Sequence, residues 1–280
     1  MNLLSQENKE ITIVTFNVQG KKVTDVHKPT KFRNYSGFNF ENLSFELKEM
    51  KINPDIISLT EVHIVDLQKI SKNLNQKINE VDYKAFTPKQ CTQNESYNET
   101  SLGTCLLVRE NIAKYFSLCD AQIVNKVMYH KGKTCDIREC RIKSHELEVV
   151  SLYIKSGLSK NDKKSKETLK LLTEEMSSKL KSPNKTIYLG DFNFNINHPG
   201  FVNEFQSTVK DFKEIVSVYE PWYKNYAIND EENLFTYRDC RGDLVKLDYI
   251  ISNLEIKEFF SSQEIPIFSD HKILVSRLRL

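Results

Sequence analysis

Several features that would place this chain in a specialised class are scarce in its sequence. The 280 residues include only 8 glycines, 7 prolines and one tryptophan, without a Gly/Pro/Ser-rich linker or an internal repeat, which argues against tethered domains and repeat architectures. No apolar run approaches the roughly 20 residues that span a bilayer, and the first residues, MNLLSQENKE, lack the apolar segment of a signal peptide. We therefore expect one soluble, monomeric domain over residues 1–280, in the cytoplasm or nucleus and without a membrane partner.

The six cysteines show neither a CxxC pair nor a closely spaced histidine, so the common zinc-binding spacings are missing. They are Cys91, Cys105, Cys119, Cys135, Cys140 and Cys240. Reduced and mostly buried thiols are the favoured interpretation for an intracellular protein. Disulfides remain the alternative if the compartment is oxidising.

Charge is nearly balanced, at a net +2, which neither requires nor excludes a polyanionic substrate. Two local clusters of basic residues stand out, the first formed by Lys21, Lys22, Lys28, Lys31 and Arg33, the second by Lys155, Lys160, Lys163, Lys164 and Lys166. A solvated surface is the alternative for each cluster. It is favoured for the second, because those lysines open a segment with helical periodicity.

Hydrophobic periodicity predicts strands and helices mixed along the chain. The expected strands include ITIVTFNV, PDIISLTEV, TSLGTCLLVRE, an antiparallel pair over 134–143 and 146–154, IYLGD, VKLDYIIS and KILVSRL; the expected helices cover ENLSFELKEM, 65–78, 163–181 and a short segment near 200–206. Strands outnumber helices without a strict alternation, so we expect an α/β or α+β sandwich.

Polar residues suited to phosphate chemistry stand at or near the ends of five apolar runs. They are Asn17; Glu61; Tyr153; Asp191 with Asn193; and Asp248, followed by Asp270 and His271. Each has an ordinary alternative, since Gly-Asp-x-Asn is common turn chemistry and the others could cap helices or form surface pairs. Their joint order is harder to dismiss, because catalytic sites are assembled from several such strand ends.

The segments TFNVQG, LTEVH, GDFNFN, KLDYII and SDHKIL, in this order and spacing, resemble the endonuclease/exonuclease/phosphatase superfamily. Any one of these motifs is short, but all five occur in register over nearly the whole chain. The resemblance implies a DNase I-like four-layer sandwich, in which two packed mixed β-sheets are flanked by helices.

Phosphodiester cleavage needs an activated water, neutralisation of the charge on the phosphoryl oxygens and stabilisation of the leaving oxygen. Carboxylates and carboxamides are hard oxygen ligands that suit Mg²⁺, with Mn²⁺ as a substitute. Glu61 fits this chemistry. The resemblance implies that Glu61 binds the metal and that Asn17 supports it, with Asp270 as a secondary metal ligand or as the residue that orients His271.

The resemblance also implies roles for the remaining residues. Asp191 orients or deprotonates the attacking water, and Asn193 contacts the phosphate. His271 donates to the scissile phosphate, and Asp248 supports the site by hydrogen bonding. His63 follows Glu61 by two residues, but we do not expect it to be a catalyst.

Tyr153 favours a DNA-acting branch of the family. The resemblance implies tyrosine in this strand for two groups, the exonuclease III-like apurinic/apyrimidinic endonucleases and the non-LTR retrotransposon endonucleases. It implies histidine for DNase I, inositol phosphatases and sphingomyelinases. Three departures from the apurinic enzymes stand against abasic-site specificity: the loop Lys155-Ser156-Gly157, Gln19 in place of aspartate, and Val245 in place of tryptophan. We therefore expect an endonuclease acting on double-stranded DNA.

Basic residues near the predicted site could hold the phosphate backbone in a sequence-independent way. The candidates are Lys21, Lys22, Lys155, Arg238, Arg241 and Lys246. Solvation is the alternative for any one of them. Tyr237 and Trp222 could stack on bases, but a role in core or surface packing is expected at least as strongly for each.

Two rival functions stay open from the residues alone. A phosphatase or phosphodiesterase of the same fold could act on RNA, inositol phosphate or lipid headgroups, because fold and core residues do not fix the substrate. A non-catalytic binding protein could retain the fold, although it would be expected to lack a metal ligand or a base.

Overall fold

The computed structural model describes ten ranges of the chain, namely 9–18, 39–73, 75–88, 102–122, 137–154, 163–193, 206–220, 235–238, 244–266 and 269–280. Within these ranges the chain forms two β-sheets with helices packed against them. No helix in them is long and apolar enough to cross a membrane. The predicted class, two mixed β-sheets flanked by helices, is confirmed.

In the described ranges the first sheet has seven strands: β1 Glu10–Asn17, β2 Ile56–His63, β3 Asn75–Ile78, β4 Val81–Phe86, β5 Leu102–Arg109, β13 Glu255–Ser261 and β14 Leu274–Arg279. Their order across the sheet is β13-β14-β1-β2-β5-β4-β3. Only β1 and β2 run parallel, and the other neighbours are antiparallel.

In the same ranges the second sheet has five strands: β6 Ser117–Cys119, β7 Ile137–Lys143, β8 Leu147–Ile154, β9 Lys185–Asp191 and β12 Asp248–Ser252. Their order is β12-β9-β8-β7-β6, with β8 and β9 as the parallel pair. A short pair, β10 Tyr237–Arg238 and β11 Leu244–Val245, stands beside it. Each sheet therefore contains one parallel pair, whose carboxyl ends point the same way.

The helices are α1 Phe40–Glu49, α2 Ile64–Lys72, α3 Glu110–Ala113, α4 Lys163–Leu180 and α5 Gln206–Tyr219. The expected helix over 65–78 is wrong in its second half, because residues 75–78 form an edge strand paired with β4. The short helix expected near 200–206 falls mostly outside the described residues. The structure instead has a longer helix that begins at Gln206.

The faces that the two sheets turn toward each other change from apolar to polar along the strands. This order is Ile11, Ile13, Thr15, Asn17 on β1; Leu147, Val149, Ser151, Tyr153 on β8; and Ile187, Leu189, Asp191 on β9. The period-2 alternation of a strand puts each series on one face. The apolar end forms the core between the sheets, so the functional side chains stand on a packed base.

A layer of hydroxyl groups separates that core from the functional end. Ser58 Oγ of β2 lies 2.6 Å from Ser151 Oγ of β8, and Thr104 of β5 hydrogen bonds to the same Ser151 oxygen. Thr104 Oγ1 also donates to Leu59 O at 2.9 Å. These bonds join the two sheets directly and so set their spacing beneath the site.

Gly190 lets β9 approach β8 closely just before Asp191. Its φ is +135°, in a region that L side chains rarely adopt, and a Cβ there would lie 2.0 Å from Leu152 O. Gly190 is paired with Leu152 in the parallel ladder. The glycine of the GDFN segment is therefore needed for strand pairing rather than for a turn.

We predict that Gly190→Ala destabilises the protein by at least about 2 kcal/mol, because the methyl group must displace backbone and adopt a strained φ. Denaturant unfolding followed by circular dichroism measures the change. Ser117→Ala, at an exposed position on β6, is the control and should change stability by less than about 0.5 kcal/mol. Equal stability of the two variants would contradict this account.

Candidate active site

The predicted site residues converge where the two parallel pairs end. Asn17 and Glu61 lie at the carboxyl ends of β1 and β2, and Tyr153 and Asp191 lie at the ends of β8 and β9. Ligands of open α/β sheets bind outside the carboxyl ends of strands for this topological reason. The first pair belongs to one sheet and the second to the other, so the site straddles the gap between them.

The side chain of Asp191 accepts three hydrogen bonds at the centre of the site. Its Oδ2 accepts hydrogen bonds at 2.8 Å from the side-chain amides of Asn17 and Asn193. Its Oδ1 accepts a third, also at 2.8 Å, from the backbone N–H of Asn193. The left-handed backbone of Asn193, with φ 52°, turns the chain so that both of its donors reach the same carboxylate.

Burial raises the pKa of Asp191 well above its usual value, and the nearby carboxylates of Asp248 and Glu61 raise it further. The side chain has no exposed surface. The positive charge of His271 and the hydrogen bond from Asn193 act in the opposite direction. Asp191 is therefore a stronger base than an exposed carboxylate.

His271 is oriented by Asp248, across the gap between the sheets. Nδ1 of His271 lies 2.7 Å from Asp248 Oδ2, whereas Asp270 Oδ1 is 3.6 Å from Nε2. The role of orienting the imidazole, for which the sequence suggested Asp270, therefore belongs to Asp248. Neighbours in extended chain point to opposite faces, so Asp270 is poorly placed to hold the ring beside it.

Burial alone would lower the pKa of His271, but the carboxylates of Asp248, Asp191 and Asp270 outweigh burial and raise the pKa to about 10. At neutral pH the imidazole is therefore positively charged. Its Nε2 lies 3.3 Å from Asn17 Nδ2. Both nitrogens are donors when the ring is charged, so this is a contact and not a hydrogen bond. Asn17 lies between the basic carboxylate and the cation.

Glu61 is turned into the site by its backbone. Its φ is 53°, and the pairing of β2 with β5 shifts register between Leu59 and Val62. Burial, together with the negative charges of Glu61 and Asp191, raises the pKa of Tyr153 far above its ordinary value. Tyr153 is therefore a neutral hydroxyl group rather than a phenolate.

The donor set suits a divalent cation with few protein ligands. Within the described ranges, no three side chains of the His, Cys, Asp and Glu types are arranged to hold a metal together, but Mg²⁺ commonly takes one or two carboxylates and keeps its waters. The carboxylates of Glu61 and Asp248 both lie close enough to Asp191 to repel its negative charge. Asp248 Oδ1 is buried and accepts no hydrogen bond from described residues. This excess of negative charge fits a cation.

Two hydroxyl residues that were not predicted from the sequence position the site. Ser269 Oγ donates to Asn17 O at 2.7 Å and accepts from His271 N at 3.0 Å. Thr236 Oγ1 accepts from the backbone N–H groups of Leu247 and Asp248 at 2.9 and 3.0 Å. Ser269 precedes the Asp-His pair directly, which was the available signal. No sequence signal pointed to Thr236, because its hydrogen-bond partners are 11 and 12 residues away.

Two further side chains line the site. The Tyr237 ring packs against the His271 ring, with centroids 4.7 Å apart, so the packing role foreseen for Tyr237 is the one observed. Arg138 pairs with Tyr153 across the β7–β8 ladder, and its charge lowers the pKa of that tyrosine. The predicted hairpin around KSHE already contained the signal, because its register places Arg138 opposite Tyr153.

The predicted nucleic-acid contacts are only partly within the described residues. Lys21, Lys22, Lys155 and Arg241 lie outside them, and Trp222 does as well. Arg238 is exposed, as a backbone contact requires.

The predicted nucleic-acid contact of Lys246 is wrong. Its ammonium is buried, donates to Glu220 Oε1 at 2.9 Å and lies 5.0 Å from the centre of the Tyr249 ring. A lysine neutralised in the interior is unavailable to a phosphate backbone. Glu220 follows α5, so the pair fastens that helix to the start of β12.

No protein-family model matches the chain, and no curated protein matches it. Solved structures do. An AP endonuclease from Archaeoglobus fulgidus aligns with a TM-score of 0.58 at 17% identity, over 95% of this chain and 98% of that one. D. rerio TDP2, complexed with a single-strand DNA product, aligns with a TM-score of 0.59 at 12% identity, over 98% and 100%.

An endonuclease/exonuclease/phosphatase family protein from Bacteroides thetaiotaomicron gives a TM-score of 0.58 at 14% identity, over 99% of this chain and 97% of that chain. The chain has the DNase I-like fold. The DNase I-like architecture implied by the five sequence motifs is thereby confirmed. At these identities the likeness concerns the fold, and the chemistry must be argued from the site.

We predict that Asp248→Asn lowers the pKa of His271 by roughly 1 to 3, because the nearest opposite charge is removed. Asp270→Asn should lower it less, since its oxygen is farther from the ring. Titration of the histidine NMR signals in metal-free protein measures both. A larger effect in Asp270→Asn would return the orienting role to Asp270.

Proposed function

We propose that this chain is a divalent-metal-dependent phosphodiesterase that hydrolyses nucleic acid, with double-stranded DNA as its substrate. The observation that carries the proposal is the convergence of a buried basic carboxylate, Asp191, with a charged imidazole, His271, across the gap between the sheets. The order of the five sequence motifs supports the same interpretation. So does the fold, which is shared with an AP endonuclease and with a TDP2 protein complexed with DNA.

Asp191 is the proposed base. Its raised pKa gives it the driving force to take a proton from a water that attacks phosphorus. Asn17 and Asn193 hold the carboxylate in one orientation through donors to its two oxygens. A base fixed in this way loses little entropy when it acts.

His271 is the proposed electrostatic partner of the phosphate. Asp248 fixes the ring through Nδ1 and maintains its charge, leaving Nε2 to face the reacting group. A fixed cation in a water-poor site stabilises charge that builds up on phosphoryl oxygens. Asn193 lies beside the same carboxylate and would contact the phosphate through its amide.

Glu61, with Asn17 beside it and Asp270 as a further carboxylate, is the proposed ligand set for Mg²⁺, with Mn²⁺ as a substitute. The bound ion would neutralise phosphoryl charge. Tyr153, whose neutral hydroxyl is electrostatically coupled to Glu61, would help to orient that carboxylate. Arg138, next to Tyr153 in the sheet, adds a positive charge at the mouth of the site.

Tyr153 and Arg238 bear on the choice of substrate. Tyr153 takes the place where inositol phosphatases and sphingomyelinases of this superfamily are expected to carry histidine, which favours DNA over those headgroups. Exposed Arg238 is available to a phosphate backbone. Phosphoesters of RNA, inositol or lipid are the rival substrates, and the first assay includes them.

We predict Mg²⁺-dependent nicking of supercoiled plasmid that EDTA abolishes. Asp191→Asn and Glu61→Ala should each lower turnover by about 10² to 10⁴-fold, because one removes the base and the other the metal carboxylate. Asp66→Asn, whose carboxylate pairs with Lys69 on α2, is the matched control and should retain full activity. Near-wild-type turnover in either site variant would overturn the assigned role.

A binding readout complements turnover. Mg²⁺ should raise the thermal midpoint of the wild-type protein, since a ligand bound only to the folded state stabilises it. Glu61→Ala should remove that increase, whereas Asp66→Asn should keep it. Duplexes with and without an abasic site, RNA and inositol phosphates then rank the substrate classes. Cleavage confined to one of the rivals would move the function to that class.

A further inference from the structure

Two cations, Lys272 and Arg238, stand next to the active site. Lys272 follows His271 directly, and Arg238 belongs to the segment that pairs with it. Within the described ranges neither side chain forms an ion pair. Lys272 has no role in the chemistry described above, and it was not among the predicted nucleic-acid contacts.

The two cations share one face of a short antiparallel pairing. Tyr237 and His271 form an isolated antiparallel β-bridge. On either side of it, Arg238 N–H donates to Asp270 O at 3.2 Å, and Lys272 N–H donates to Thr236 O at 2.7 Å. Alternation therefore places Arg238 and Lys272 on the side opposite the stacked Tyr237 and His271 rings. Diagonal neighbours of this kind have Cα atoms roughly 7 to 8 Å apart, within reach of long side chains.

Lys272 is held in an unfavourable setting. The residue is only 7% exposed, and its ammonium lies 3.9 Å from the centre of the Phe235 ring. An aromatic face compensates a buried ammonium only in part.

Among the described residues, two other buried cations are paired with carboxylates. Lys246 is paired with Glu220 at 2.9 Å, and the fully buried Arg141 is paired with three glutamates, Glu139, Glu148 and Glu175. An unpaired buried charge costs free energy that a fold ordinarily avoids. The exception at Lys272 lies beside the catalytic residues, where a substrate anion would supply the missing charge.

We propose that Lys272 and Arg238 form a second anion-binding subsite, which takes a phosphate of the substrate other than the scissile one. The pairing directs both side chains to the face opposite the stacked rings, where they would hold a phosphate next to the one that His271 contacts. The subsite rests on the proposed function and sharpens it, because it requires a substrate with at least two phosphates. A nucleic-acid strand, which carries a phosphate at every nucleotide, satisfies that requirement.

The test is binding of a fluorescent oligonucleotide duplex in EDTA, followed by anisotropy over a range of salt concentrations. Lys272→Met should weaken binding by roughly tenfold, since a charge-assisted contact is lost. The slope of log affinity against log salt should fall by about 0.9. The Lys272→Met protein should unfold no more easily than wild type, because an unpaired buried charge is removed. A lysine with a purely structural role would not give this combination.

Lys170→Met, at an exposed position on α4, is the matched control and should leave both the affinity and the slope unchanged. Arg238→Met should act in the same direction as Lys272→Met. Unchanged affinity and slope in the double variant would overturn the subsite, as would a wild-type protein that binds no oligonucleotide. Competition by a polyphosphorylated inositol that is lost in Lys272→Met would support the subsite and identify a different source of the second phosphate.

Turnover of a substrate with one phosphate separates this inference from the proposed function. Hydrolysis of bis(4-nitrophenyl) phosphate should be unchanged in Lys272→Met and lost in Asp191→Asn. Lys272-dependent binding without hydrolysis of any phosphoester would leave the subsite standing and refute the phosphodiesterase. Hydrolysis with oligonucleotide binding that ignores Lys272 would refute the subsite alone.

Discussion

The hydrogen bond from Asn17 to Asp191 joins the two sheets at their functional edge, and the rest of the site depends on it. It is possible only because the sheets are held at one spacing by the core between them and by the Ser58–Ser151 contact below. That spacing sets how far the carboxylate stands from the cation on the opposite side. Catalytic groups must be positioned to within a fraction of an ångström, and a packed two-sheet base provides this better than loops do.

Charge is the second constraint on this arrangement. Burying Asp191 near Asp248 and Glu61 raises its pKa, and the carboxylates of Asp248 and Asp191 keep His271 charged. The shared interior therefore makes the Asp191 carboxylate a better base and the His271 imidazole a more lasting cation. Negative charge remains in excess, which explains why a divalent cation is the natural complement of this site. Lys272 is the converse case, a buried positive charge that forms no ion pair within the described residues.

The sequence was sufficient to locate most of the site, because Asn17, Glu61 and Asp191 end strongly apolar strands in an order typical of one superfamily. It was insufficient wherever a role depends on tertiary register. Adjacency suggested Asp270 as the partner of His271, whereas the pairing of β12 with β9 delivers Asp248 instead. The position of Lys246 suggested a surface contact, but Glu220, 26 residues away, draws it into the interior.

The central claim is that Asp191 directs a water molecule onto a phosphodiester held in this site. Hydrolysis of an oligonucleotide in ¹⁸O-labelled water, with mass spectrometry of the product after a single turnover, tests it most directly. The account predicts one ¹⁸O atom in the phosphate of the product, formed by the wild-type protein and not by Asp191→Asn. A product phosphate without ¹⁸O, or equal product from the variant, would contradict it.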